Sequence, residues 1–357
     1  MTLFRLLGCS TLVLALLGAC AHSRSAAQSF ETETHRFEAQ APGVYFVTGT
    51  GKLFVQSNAL VIVAEHDVIV VDSHVTTQAG RALVESIAQL TPKPISTLIN
   101  THYHFDHAHG IEAFPAPVTI VGHEYTVVKL SGDPMSEPTF MNFAAAVEPV
   151  IQDLEEKLRA ETDAGKRAAL EGELQVQRAH RTALGETTPI PPNLSMRERL
   201  TLHRGERLIE LHFLGRGHTG GDVVVFLPEE KLLFTGDLLL PFPSYMGDGF
   251  PLEWIGTLDR LKKLDFETIL PGHGAPFSDR GVIERFQRVL EGIQRHGEAS
   301  RAAGLSVDQA AETLDTAKLY AEYEDDPLAL PPKLRRFVIA ESLRRVYAEL
   351  EAAENGN

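Results

Sequence analysis

Cysteine is nearly missing from this chain. Only Cys9 and Cys20 occur in 357 residues, and both lie in the first twenty positions. The body therefore has no disulfide and no thiolate to offer a metal, and any metal site in it must be built from histidine and carboxylate. Positive charge is also scarce: 33 Lys and Arg stand against 48 Asp and Glu, a formal charge of −15. That balance repels polyanions at long range and excludes nucleic acid as the default partner. Internal repeats are absent as well. What remains, 43% hydrophobic and 23% charged residues, is an ordinary globular composition, long enough for one large domain or two modest ones with a sizeable core.

The N-terminus reads as an export signal. Arg5 precedes an apolar run from Ser10 to Ala19 that is too short to span a bilayer and, being apolar all round, lacks the stripe of a core helix. Leu17, Gly18 and Ala19 before Cys20 resemble the bacterial lipoprotein cleavage box, in which the cysteine carries the lipid; a plain signal peptide cut nearby is the alternative. The expected address is the periplasmic side of a bacterial membrane, with a lipid anchor at Cys20. Residues 1–20 are thus assigned to the signal, 21–37 to a polar linker with no core, 38–300 to the main domain and 301–357 to a C-terminal helical extension.

Short β-rich runs at 43–48, 53–56, 60–64 and 68–71 predict an antiparallel meander. A helical pattern over 76–90 and a short apolar strand at 97–99 follow. A second β-rich block covers 200–202, 208–214, 223–227, 232–235 and 268–270, so two sheets are expected. Between the blocks, 143–184 carries Val147, Ile151, Leu154 and Leu158 at helical spacing, with Leu170 and Leu174 resuming after the polar stretch around Gly165. This insertion is either a helical hairpin or a continuous helix, and its seam suits a lid, a homodimer contact or a solvated decoration. Further helical patterns occupy 282–295, 306–314 and 332–350.

The chemistry concentrates in His102, His104, Asp106 and His107, four ligand-type side chains within six positions at the end of a strand. In extended chain, residues i and i+2 point the same way, so His102 and His104 can reach one ion while Asp106 and His107, past the turn, face another. Zinc takes imidazole and carboxylate readily, and a catalytic site keeps one position open for water. His218, Asp237 and His273 each close an apolar strand at a glycine turn, which core packing alone does not require. Lone histidines such as His203 and His212 carry no such context, and His74, His109 and His123 are left unassigned.

These motifs resemble the metallo-β-lactamase superfamily: the His-x-His-x-Asp-His box at His102 to His107, then Gly-His-Thr at His218, Thr-Gly-Asp at Asp237 and Gly-His-Gly at His273, in the family's order. The resemblance spans roughly residues 43–277. It implies an α/β fold, a four-layer αβ/βα sandwich with the site at one edge, the insertion and C-terminal helices lying outside it. It also implies two zinc ions per chain, the first held by His102, His104 and His218, the second by Asp106, His107 and His273, with Asp237 bridging. Asp72 matches an aspartate that supports the ligands by hydrogen bonding. The implied activity is hydrolysis of a small ester, thioester, lactone or lactam by a metal-bridged hydroxide, with Asp106 and Asp237 as the catalytic carboxylates.

The stretch from Gly215 to Asp237 is similar to true zinc β-lactamases, which remain an alternative. Those enzymes place a cysteine at the position of Asp237 and a lysine shortly after, whereas Leu238, Leu239 and Leu240 follow here, leaving no cation for a substrate carboxylate. Asp237 fits the arrangement of glyoxalase II and lactonases instead. An iron-dependent persulfide dioxygenase, using two histidines and one aspartate, is a further alternative. A nuclease relative would need a basic groove, and a non-catalytic module would be expected to have lost ligands.

Overall fold

The computed structural model describes residues 28–323 and 332–355. The export signal 1–20 with its Cys20 anchor, the first part of the expected linker (21–27) and residues 324–331 lie outside the described residues.

The first sheet holds β1 (Phe30–Glu31), β2 (His35–Ala41), β3 (Val44–Gly49), β4 (Ala59–Val63), β5 (Val68–Val71), β6 (Ile95–Ile99), β7 (Thr119–His123) and β8 (Leu194–Met196), in sequence order. Pairing is antiparallel up to β5 and parallel from β5 to β8. The second sheet holds β9 (Arg199–Arg204), β10 (Arg207–Phe213), β11 (Val223–Leu227), β12 (Leu232–Gly236) and β13 (Thr268–Pro271), all antiparallel except the β12 and β13 pair. Side chains alternate between the two faces of a strand. Leu60 and Ile62 of β4 meet Val223, Val225 and Leu227 of β11 between the sheets, while Val61 and Val224 point outward to helices. Both faces are covered, which is why these strands read as unbroken apolar runs.

The helices are α1 (Thr77–Leu90), α2 (Phe105–Ala108), α3 (Glu124–Ser131), α4 (Pro138–Ala160), α5 (Ala164–Gly185), α6 (Pro251–Leu261), α7 (Gly281–Ala302), α8 (Val307–Thr313), α9 (Thr316–Leu319) and α10 (Pro332–Glu354). Helix α1 starts where Thr76 Oγ1 accepts the Ala79 N–H at 3.1 Å, and lays Leu83 and Ile87 on Val68, Val70 and Leu98. Helices α6, α7 and α10 cover the second sheet around Trp254 and Phe286. The layers run helix, sheet, sheet, helix, the four-layer sandwich expected above. Among the described residues no helix is long and apolar enough to cross a membrane.

Several expectations are corrected. The linker expected over 21–37 is wrong in its second half, because β1 and most of the first half of β2 lie within it. The polar composition misled there: β2 is a half-buried strand on which buried His35 and Phe37 alternate with exposed Arg36 and Glu38. The strand expected at 53–56 is a loop, since β3 pairs directly with β4. Gln56 there has φ 66°, and Val55 packs against the helical hairpin. The insertion is a hairpin of α4 and α5 that breaks at 161–163, where Asp163 caps α5 by accepting the Lys166 N–H, so Gly165 lies inside the first turn. Val147, Ile151 and Leu154 close on Leu174 and Leu184, and on Phe105 and Val75 of the main body, so the seam is buried within the chain.

Candidate metal centre

Strand β6 ends at Ile99, and the following backbone stays in register: the Asn100 N–H reaches the Val121 carbonyl, and the Thr101 N–H donates to Asp72 Oδ1 at 2.8 Å. His102 and His104 leave this extended stretch. The single turn of α2 then carries Asp106 and His107. His218 rises from the loop after β10, in a turn closed by Asp222, which accepts from both the Thr219 N–H and hydroxyl. Asp237 follows β12, and His273 follows β13, the parallel neighbour of β12. Two glycines make the last approach possible. Gly236 has φ 51°, and a Cβ on Gly272 would run into Asp237 Oδ1 and come within 2.9 Å of His107 Cε1.

All seven side chains converge. Ligand atoms of His102, His104 and His218, of His102, His107 and Asp237, and of Asp106, His107 and His273 form three groups, each within 4.8 Å of one another. Six of the seven residues are buried, and His273 is partly exposed.

Four of the five imidazoles are held by the nitrogen that faces away from the group. His218 donates Nδ1–H to the Tyr245 carbonyl at 2.9 Å, and His104 donates Nε2–H to Asp248 Oδ2 at 3.2 Å. His107 donates Nδ1–H to Asp72 Oδ2 at 2.7 Å. The Thr101 hydroxyl donates to Asp72 and therefore accepts from His102 Nδ1 at 3.0 Å. The other nitrogens of these four rings are aimed inward. His104 Nδ1 and His218 Nε2 face each other at 2.9 Å, and His102 Nε2, His107 Nε2 and Asp237 Oδ1 are buried with no hydrogen-bond partner. Buried lone pairs facing one another, with two carboxylates beside them, are what a cation satisfies. The donor set of imidazole and carboxylate fits zinc.

The electrostatics agree. Burial drives His218 down to about 3, and burial likewise keeps His102 well below its ordinary value, so both are neutral donors. Burial also opposes charge on His107 and His273. There the carboxylates win: Asp106, Asp237 and Asp72 raise His107, and Asp237 with Asp106 raises His273 to about 10. Against its own burial, Asp106 is held down at about 2 by His107 and His273, and Asp237 is likewise held low. Without a cation, protons on these two histidines balance the two carboxylates; a metal ion replaces that positive charge.

Asp248 and Thr139 were not singled out in the sequence. Asp248 accepts from His104 and, by a short contact, from Thr139 Oγ1 of α4. Its signal was its place between Gly247 and Gly249, a glycine turn like that at Asp237. Of the unassigned histidines, His74 is buried close by, His109 packs on Phe140, and His123 accepts the Tyr125 N–H at the start of α3. None belongs to a ligand group among the described residues. His203 and His212 lie on β9 and β10, away from it.

A cavity of about 380 Å³ opens over the cluster. His104, Asp106, His218, Asp237 and His273 form its floor, and its polar walls are Gln56, Thr139, Asn142 and Tyr245.

Residues 53–273 match the family model of the metallo-beta-lactamase superfamily. A linear primary-alkylsulfatase of Pseudomonas sp. (strain ATCC 19151) is 24% identical over 313 residues, covering 80% of this chain and 54% of that protein. A type 2 metallo-beta-lactamase of Bacillus cereus is 22% identical over 235 residues, covering 64% of this chain and 70% of the relative. The solved structure of the DIM-1 metallo-beta-lactamase shares the fold with a TM-score of 0.51 at 20% identity, covering 73% of this chain and 99% of that one. The chain spans about half the length of the alkylsulfatase it matches.

Proposed function

This chain belongs to the metallo-beta-lactamase superfamily, and from that premise we propose that it is a dinuclear zinc hydrolase acting on a small ester, thioester, lactone or lactam. One observation carries the reading: four buried imidazoles, each hydrogen-bonded through its outer nitrogen, turn their inner nitrogens toward one another and toward Asp106 and Asp237. In this reading His102, His104 and His218 would hold one ion and Asp106, His107 and His273 the other, with Asp237 available to both. When bound, such a pair of ions acidifies water and polarises an acyl oxygen at neutral pH.

The chain's own residues do the rest. Asp72, through His107 and Thr101, and Asp248, through His104, fix the tautomers that face inward. Asp106 lies on the cavity floor 3.0 Å from His273 Nε2 and is the group assigned to orient the attacking water and receive its proton. Leu238, Leu239 and Leu240, all buried after Asp237, supply no cation for a β-lactam carboxylate. That weighs against antibiotic hydrolysis as the main activity. The persulfide dioxygenase alternative would be selected instead by iron at a single occupied site.

The test is a side-by-side assay of zinc-loaded protein against nitrocefin, a homoserine lactone, a glutathione thioester and a primary alkyl sulfate. Turnover of an acyl substrate that disappears in His104→Ala and Asp237→Ala supports the proposal. Turnover of the sulfate alone, or of nothing by protein carrying two zinc ions, overturns it.

A further inference from the structure

The cavity over the metal cluster has a wall chemistry that the ligand set does not dictate. Beyond its floor, every described residue lining it is uncharged. The apolar part of the wall comes from four separate elements: Phe105 of α2, Phe143 and Ala146 of α4, Leu240 and Phe242 of the loop after β12, and Phe337 of α10. Of these, α4 belongs to the hairpin inserted in sequence between β7 and β8, and α10 to the helix layer over the second sheet.

The wall is anchored to the chemistry. Phe143 stacks on Phe105 with ring centroids 4.3 Å apart and planes inclined by 20°, and Phe105 stands in sequence between His104 and Asp106. Phe54 stacks on the other side of the same group at 6.3 Å from Phe143. An aromatic surface fixed to the ligand box in this way is pre-organised, so a ligand settling on it orders little protein. Phe337 remains 37% exposed at the mouth, an apolar ring left in water beside a reactive centre.

Resting on the hydrolase reading above, we propose that the substrate is an uncharged carboxylic ester or lactone whose non-reacting part is an apolar chain, laid along Phe143, Ala146, Leu240, Phe242 and Phe337. A charged substituent in that position would be desolvated against phenyl rings with no counter-charge among the described wall residues beyond the floor, which disfavours it. A glutathione thioester and a β-lactam both carry such charges. In the reaction water adds to the acyl carbon, the acyl carbon to oxygen bond breaks, and the departing alkoxide takes up the proton lost by water.

The test uses the full zinc-loaded chain and three probes: p-nitrophenyl acetate, p-nitrophenyl octanoate, and the same eight-carbon ester ending in a carboxylate. The expected kcat/KM is at least tenfold higher for octanoate than for acetate, and at least tenfold higher for octanoate than for its carboxylate-ended analogue. Ala146→Asp and Phe337→Ala should each lower the octanoate to acetate ratio several-fold, with zinc content and circular dichroism recorded for each variant. Equal rates across the three probes overturn the inference and leave the hydrolase reading standing. Calorimetric titration with 1-octanol and 1-butanol gives an answer free of turnover. Tighter binding of octanol that weakens in Ala146→Asp supports the apolar wall, and equal binding overturns it. Octanol binding with no ester, lactone, thioester or lactam turned over overturns the hydrolase reading instead.

Discussion

His107 donates its Nδ1–H to Asp72 Oδ2 across 2.7 Å, with both side chains fully buried. Asp72 also accepts from the Thr101 N–H and hydroxyl, and does so from a left-handed backbone at φ 64°, a conformation few aspartates hold without a reason. Asp72→Asn keeps an acceptor for Thr101 but can place an amide N–H against His107 Nδ1, which would move the imidazole proton to Nε2, the atom that faces the cluster. Zinc affinity is expected to fall about 10- to 100-fold while the fold persists. Competition with a chromophoric chelator measures this; unchanged affinity would remove Asp72 from the account.

Asp248 does for His104 what Asp72 does for His107, and it ties that ligand to the hairpin through Thr139. Asp248→Ala is expected to weaken zinc binding about tenfold, and Thr139→Val, which removes only the outer contact, by less. The cobalt-substituted protein gives an independent reading, since its visible spectrum should change in Asp248→Ala. An identical spectrum and identical affinity in both variants would count against the coupling.

Away from the site, burial raises Glu349 of α10 to about 7, although the Leu252 N–H at the start of α6 favours its charged form. A carboxyl whose folded value lies above its unfolded value contributes stability fully below about pH 4.5, and that contribution is lost as pH rises through 7. Glu349→Gln keeps an acceptor for Leu252 and carries no charge. It should match the parent at pH 4.5 and exceed it at pH 8 by about 1 kcal/mol after solvent screening. Urea unfolding at the two pH values decides; a difference independent of pH would show that the charge is not the cause.

The resemblance of Leu17 to Cys20 to a lipoprotein box predicts that the full chain, expressed in a bacterial host, labels with fatty acid and sediments with membranes, whereas Cys20→Ser does neither. Fractionation with radiolabelled palmitate reads both. Equal labelling of the two proteins would place the lipid elsewhere.

The sandwich was legible because its central strands are buried on both faces and so stand out as apolar runs, and α1 because Thr76 caps a clear stripe. The candidate cluster was legible because four side chains of metal-ligating type within six positions have little other use, and His218, Asp237 and His273, which converge with them, because glycines flank them. Other parts gave no local pattern. Strand β8 is only three residues long, and it pairs with β7 across the whole hairpin insertion. The stretch 53–56 is apolar because it packs on that hairpin, not because it pairs. β2 reads as linker until its alternate burial is seen. The link from His104 through Asp248 to Thr139 joins residues 144 and 109 positions apart, a relationship that only the folded chain brings together.

The central claim is that seven side chains from distant stretches hold two ions, and anomalous diffraction at the zinc edge, from crystals of the zinc-loaded chain, tests it most directly. The account predicts two peaks, one against His102, His104 and His218 and one against Asp106, His107 and His273, with Asp237 between them. A single peak, or peaks remote from these residues, would contradict it.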